Sequence, residues 1–399
     1  MHALPEDHTG VRIARLRRER HLTQKALSDL SGVPYSTLTK TEQGVLPATP
    51  HVVAACARAM RVDVATVVGQ PYASELRADE LDVLIRPIRE ALDVYDLGAD
   101  PDIRSRRLED LAADAESLCA SVRAGDIKRA ASEVAGLIEE ATTAAHIADS
   151  SEGWLTLASF YRTSYDVAAK LGFPDLAQLS LARLDWAAQR GSSAVIGGMF
   201  QYLRALTYLR EGKYRTGQRL VSLGLSTLQQ APESRERRVV TGQLHLGASV
   251  MAGRAHNEGE ALSHLVEAER IAGETGEAVQ VHWLAFGPTN VKVHRVSVLA
   301  ELDQYGEAVE ATCGLTIPAD WPKSRTSHHY AELARAQMWT GKPEASFQSL
   351  LLARKTAPQQ AKYHPTVRET YAGLEAAHRR LSDSFLSYGS WLGSGHAPH

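Results

Sequence analysis

The stretch "GVPYSTLTKTEQG" (32–44) decides how the N-terminal region is read. Gly32 supplies a turn, and Gly44 stands where a left-handed residue closes a helix, so Tyr35 to Gln43 between them reads as one short helix. Pro34 occupies the capping position in place of Ser, Thr, Asp or Asn. That forgoes about 1 kcal/mol of side-chain capping and offers a preset φ in return. Working outward, "LTQKALSDL" (22–30) opens a preceding helix, with Thr23 as N-cap before Gln24. Ile13 and Leu16 face inward from a helix before that one. Val52, Val53, Ala57, Met60, Val62 and Val67 form the apolar side of two more. Val11 to Val68 therefore divides into about five short helices.

This order resembles the lambda-repressor-like helix-turn-helix domains of the bacterial Xre family. The resemblance rests on Gln24 opening the second helix, apolar Leu27, small Ser28, Gly32 at the turn, Val33 and Leu38 in the core, and Glu42-Gln43-Gly44 at the end of the third helix. Thr41 departs from it, standing where the family usually has a large apolar residue. The resemblance implies that the third helix enters the major groove of double-stranded DNA. Tyr35, Ser36, Thr39 and Lys40 would then meet base edges. Gln24, Thr37, Gln43 and the arginines of the first helix, Arg15 and Arg18 among them, would meet phosphates. One such helix reads a half-site, so the resemblance also implies a homodimer on an inverted-repeat operator.

Charge is distributed in keeping with that reading. The 399-residue chain has a net charge of −3, yet residues 1–72 hold nine Lys/Arg against six Asp/Glu. Five of the nine fall between Arg12 and Arg20. A basic head on an acidic body suits an anionic partner for the head alone. Cys56, Cys119 and Cys313 lie far apart, without disulfide or metal spacing, so a reducing cytoplasm is expected. No apolar run is long enough to span a membrane, and the N-terminus lacks the apolar run of a signal peptide.

Beyond the head, apolar residues recur at helical spacing and alternating β-branched runs are scarce, so the chain reads as all-α. "GQPYASE" (69–75) reads as a hinge. A stripe of Leu81, Leu84, Ile85, Ile88, Leu92 and Tyr95 follows, read as core packing in preference to a dimer seam, with Pro87 kinking the helix or starting a second. A weak pattern then recurs in "GDIKRAASEVAGL" (125–137), "GFPDLAQLSLARL" (172–184), "GKYRTGQRLVSLG" (212–224), "HNEGEALSHLVEA" (256–268), "DQYGEAVEATCGL" (303–315) and "GKPEASFQSLLLA" (341–353). Its aligned small residues are Ala130, Ala177, Gly217, Ala261, Ala308 and Ser346, spaced by 47, 40, 44, 47 and 38 residues. This resembles tetratricopeptide repeats with longer helices, a solenoid whose groove is lined by the first helix of each pair. The expected organisation is a helix-turn-helix domain at 8–70, a linker with connecting helices at 71–100, repeats with a capping helix at 101–388, and a flexible tail at 389–399.

One stretch breaks the repeat: "HWLAFGPTNVKVHRVSVLAEL" (282–302). Gly287-Pro288-Thr289 interrupts the chain before a first-of-pair helix that presents Asn290 and His294 four residues apart, hence side by side. The whole architecture resembles peptide-sensing quorum regulators of Gram-positive bacteria, in which groove asparagines hold a peptide backbone. By helix position that resemblance points to Asn290, with His294, Trp283, Phe286, His245 and Tyr330 as further effector candidates. Packing is the competing role for each of them. A small molecule fits the sequence as well as a peptide. No Walker loop, HExxH or Gly-x-Ser-x-Gly occurs, so no enzyme, metal site or cofactor is expected. The reading that results is a cytoplasmic, dimeric transcriptional regulator responsive to a peptide or small-molecule effector. Its rivals are an interaction adaptor and a constitutive repressor without effector.

Overall fold

The structure, a computed structural model, describes residues 8–70, 78–377 and 382–393. It is helical, with no strand among the described residues and one isolated bridge between Ala278 and Phe286.

The head comprises α1 (Thr9–Glu19), α2 (Gln24–Ser31), α3 (Tyr35–Glu42), α4 (Pro50–Met60) and α5 (Val64–Val68). Side chains cap three of them. His8 accepts from the Val11 amide at 3.3 Å, Thr23 from Ala26 at 3.1 Å and Thr49 from Val52 at 3.4 Å. The α3 helix starts from Pro34 with no capping side chain. Gly32 and Gly44 take φ of 75° and 71°, the left-handed turns expected of them. Ile13, Leu27, Leu38, Cys56 and Val67 are fully buried and form the head's core. Gly10 and Thr41 mark a close approach of α1 to α3. A Cβ at residue 10 would lie 1.8 Å from the Thr41 carbonyl oxygen. Thr41 itself is buried at the place where the Xre pattern would put a large apolar side chain.

The body starts with α6 (Ala78–Asp93), which runs unbroken through Pro87. It packs Ile85, Ile88 and Leu92 into the core, with Leu84 and Tyr95 beside them; the side chain of Leu81 lies outside the described residues, as do residues 71–75 of the expected hinge. Six helical hairpins follow. They are α7 (Leu108–Ala124) with α8 (Ile127–Ala148), α9 (Ser151–Leu171) with α10 (Pro174–Arg190), and α11 (Ala194–Arg210) with α12 (Tyr214–Leu228). Next come α13 (Arg235–Arg254) with α14 (Glu258–Thr275), α15 (Pro288–Glu301) with α16 (Tyr305–Glu310), and α17 (Lys323–Trp339) with α18 (Pro343–Thr356). The chain closes with α19 (Pro358–Tyr363), α20 (Pro365–Ala377) and α21 (Asp383–Leu392). Residues 367–388 thus hold parts of α20 and α21, and their segment 378–381, like most of the tail, lies outside the described residues.

Each sequence copy begins at the turn of one hairpin. Gly125, Gly172, Gly212, His256, Asp303 and Gly341 all have positive φ, between 54° and 88°. Five residues later the aligned small residue enters the partner helix: Ala130, Ala261, Ala308 and Ser346 are 0% exposed. A Cβ at Gly217 would stand 2.6 Å from the Met251 sulfur. The fifth copy is shorter than its sequence suggests, since α16 stops at Glu310.

The head docks on the body. Arg58 donates to the Gly212 carbonyl at 2.9 Å, Gln70 to the Tyr363 carbonyl at 3.3 Å, and the Ala48 amide to the Glu369 carboxylate at 3.3 Å. The Thr9 hydroxyl also donates to Glu369.

Gly10→Ala should loosen the head, because overpacking against backbone costs about 1–3 kcal/mol. Hydrogen exchange of the α1 and α3 amides is expected to speed up about tenfold or more. Gly259→Ala, exposed in the first turn of α14 with nothing within 4 Å, should leave exchange in its helix unchanged or slower.

Candidate nucleic-acid interface and internal cavity

The exposed face of α3 carries Tyr35, Ser36 and Lys40, with Gln43 just beyond its end; Thr37 and Thr39 are half-buried between them. Buried Leu38 anchors the opposite side. The arginine run of α1 divides by helical period. Arg15 and Arg18 are exposed to solvent. The other three are spent on the fold. Arg12 donates to the Val67 and Val68 carbonyls, both at 3.0 Å, and Arg20 to the Met60 carbonyl at 2.6 Å. Arg17 forks onto the Glu42 carboxylate at 2.7 and 2.8 Å, which raises the Arg17 pKa. Glu42 also accepts from the Gln24 amide at 2.8 Å, and the Tyr35 hydroxyl donates to the Gln24 carbonyl oxygen at 3.5 Å. This chain of contacts ties α1, α2 and α3 together and sets where Tyr35 stands. Sequence reading placed Glu42 only as a helix end. Its role as a hub is a long-range contact that no local pattern announces.

Residues 8–67 match the model of a family described as a helix-turn-helix domain. The N-terminal domain is a helix-turn-helix. It equips the chain to bind DNA as a regulator does. No curated protein and no solved structure matches the chain.

Behind the head lies a cavity of about 410 Å³, walled by both parts of the molecule. The head contributes Pro47, Thr49, Val53, Val64, Val68 and Gln70. The body contributes α7, α9, α11, α13, α15 and α17, the first helix of every hairpin, together with the chain around α19 and α20.

The cavity wall is dense in charge. Arg123 pairs with Asp166 at 2.7 Å. Lys170 donates to the Gln360 carbonyl oxygen at 2.7 Å and Arg210 to the Tyr165 hydroxyl at 3.1 Å. Arg325 stands beside the Tyr202 hydroxyl. Arg162 is spent on the carbonyls of His282 and Trp283. Burial pushes the Asp166 carboxyl up, but Arg123, Arg162, Lys170 and Arg210 outweigh it and hold it below the usual carboxylate range. Burial lowers Lys170 to about 7; Asp166 opposes this, and Arg123, Arg210 and Arg325 add to it. Arg254 and Arg335 share Glu301 at 3.2 and 3.1 Å, and Arg335 also meets Glu332 at 2.6 Å. His294 is lowered to about 3 and His364 to about 4 by burial. The His328 Nδ1 and His364 Nε2 atoms lie 2.9 Å apart.

The six effector candidates fall in different places. Trp283 and His294 line the cavity. Asn290 is fully buried one layer behind: its amide donates to the Gln243 carbonyl oxygen at 3.4 Å, and the Gln243 amide donates to the Tyr202 hydroxyl at 2.7 Å. Phe286 is packed in the core against Gly242. His245 faces His264 across α13 and α14, with ring nitrogens 2.9 Å apart, and Tyr330 lies by His329; neither lines the cavity. The break before α15 is a strained loop. His282, Trp283 and Ala285 have φ of 46°, 52° and 57°, a costly run for residues with a Cβ.

Sequence reading missed Arg123, Lys170, Arg210 and Arg325. Three of them carry a signal that the repeats hold. Arg123, Lys170, Arg210 and Arg254 each stand two residues before a hairpin turn, so each of the first four hairpins delivers one basic side chain to the cavity lining. Among the described residues no group of three or more His, Cys, Asp or Glu is arranged to hold a metal, and no helix is long and apolar enough to cross a membrane.

The histidines predict acid sensitivity. Unfolded imidazoles take up protons near pH 6.5, whereas His245, His282, His329 and His364 stay neutral in the fold down to about 4. The unfolded chain therefore binds more protons across that window, and stability falls as pH falls. Thermal unfolding followed from pH 7 to 4.5 should show a midpoint that drops steadily below pH 6.5. A flat midpoint would contradict these assignments.

Proposed function

We propose that the protein is a dimeric, sequence-specific transcriptional regulator of the cytoplasm whose helical array senses an effector in the cavity behind its DNA-binding head. The observation that carries this reading is the composition of the cavity wall: head and body both contribute to it. Anything that fills the cavity touches both and so acts on how the head is held. A preference for one docking geometry of about 1–3 kcal/mol is enough to switch operator affinity.

Docking leaves Tyr35, Ser36 and Lys40 exposed, so the switch does not work by covering the reading face. It works through the position of each head relative to its partner's on an inverted repeat, where half-site spacing is strict. In this reading Lys40 donates to guanine, Ser36 bonds a neighbouring base, and the Tyr35 ring packs against a thymine methyl. Arg15, Arg18, Gln24, Thr37 and Gln43 hold phosphates, and Thr39 stands at the edge of the base contacts. The helical hairpins supply the dimer contact in the manner of a tetratricopeptide-like array.

The test is binding to duplex fragments from the chain's own upstream region against random duplex. Lys40→Ala with Ser36→Ala should erase the preference, a loss of about 1–3 kcal/mol per base contact, and retain salt-dependent non-specific binding. Unmodified protein with no preference at moderate salt would overturn the reading.

A further inference from the structure

The cavity's charge is not balanced by the protein. Five cations surround the single carboxylate of Asp166: Arg123, Arg162, Lys170, Arg210 and Arg325. Arg123 takes that carboxylate directly, and Arg162 is held by backbone carbonyls. The remaining three have only neutral partners, Gln360, Tyr165 and Tyr202. Nearby acids are committed elsewhere. Glu301 and Glu332 serve Arg254 and Arg335, and Glu369 accepts from Thr9 and Ala48 of the head. Arg210 lines the cavity and is exposed, and the one hydrogen bond of its guanidinium goes to the Tyr165 hydroxyl. The lining also has an apolar part, with Leu203, Leu206, Val250 and Leu284.

We infer that the cavity binds a small amphiphilic anion carrying at least two negative charges, a phosphate ester or a polycarboxylate, gripped by Lys170, Arg210 and Arg325 with its apolar part against the leucines. This rests on the reading of the cavity as the effector site and gives that effector its chemical class. Guanidinium and ammonium donors in a shielded site hold such groups strongly. The cavity volume of about 410 Å³ suits a small molecule and excludes a nucleic-acid duplex. Binding gives Lys170 the counter-charge that it lacks. Its pKa, lowered by burial to about 7, therefore rises, and the complex takes up protons above neutral pH.

The test is titration calorimetry of the full chain without DNA, at constant ionic strength and pH 7.5, with pyrophosphate and with citrate as probes. Saturable binding of at least one is expected, with proton uptake revealed by buffers of different ionisation enthalpy. Lys170→Met and Arg325→Met should weaken binding at least tenfold. Arg325→Lys should keep most of it, and exposed Lys355→Met all of it. Tighter binding of pyrophosphate would assign a phosphate ester, and tighter binding of citrate a polycarboxylate. The inference is overturned if neither probe binds. It is equally overturned if binding survives the cavity variants and is lost in Arg15→Ala with Arg18→Ala, which would place the anion on the DNA face. Anion binding without any preference for an operator would instead defeat the regulator reading alone.

Discussion

Every hairpin of the body turns on one residue in the left-handed region and closes on one small residue five positions later. That pair of constraints, from Gly125 with Ala130 to Gly341 with Ser346, sets how near the two helices of each hairpin lie. Because all six hairpins turn in the same way, a residue at a fixed distance from the turn recurs on the same wall. Two residues before the turn the first four hairpins carry Arg123, Lys170, Arg210 and Arg254. The fifth carries Glu301, which neutralises Arg254, and the sixth carries Trp339, which lines the cavity. A repeat built to pack thus also concentrates charge, and the cost of gathering unbalanced cations is met by burial elsewhere in the array.

The head was the most legible part of the sequence. Its five helices, the Thr23 cap, the Gly32 and Gly44 turns and the buried Leu27 and Leu38 follow from local rules of capping and periodicity. The arginine run was legible only in part. Helical period separates Arg15 and Arg18 from Arg12, but the fate of Arg17 and Arg20 depends on Glu42 and Met60, distant in sequence. In the body, the turns and small residues marked the second helix of each hairpin correctly, since both reflect backbone sterics. The cavity was harder to read. Asn290 looked like a ligand group because asparagine is rare in the chain, yet it is held inside by Gln243. The residues that do face the cavity are common Arg and Lys, which a single sequence does not distinguish from solvated surface.

Head and body meet through specific polar contacts. Glu369 receives two donors from the head, Gln70 reaches the Tyr363 carbonyl, and Arg58 caps the hairpin turn at Gly212. Burial raises the Glu369 pKa, so this contact is weaker than a surface carboxylate's charge would suggest. The proposed switch asks of this polar interface beside a cavity only that an effector favour one docking geometry over another.

The central claim is that head docking and DNA binding are one coupled equilibrium. Its most direct test is the affinity of the full chain, with and without Glu369→Ala, for a duplex that the protein itself selects from a random pool. Glu369 belongs to α20 and is not part of the exposed face of α3, so the account predicts a change in affinity of fivefold or more with sequence preference intact. Equal affinities, with the variant folded, would show that the head acts independently of the body and would contradict the account.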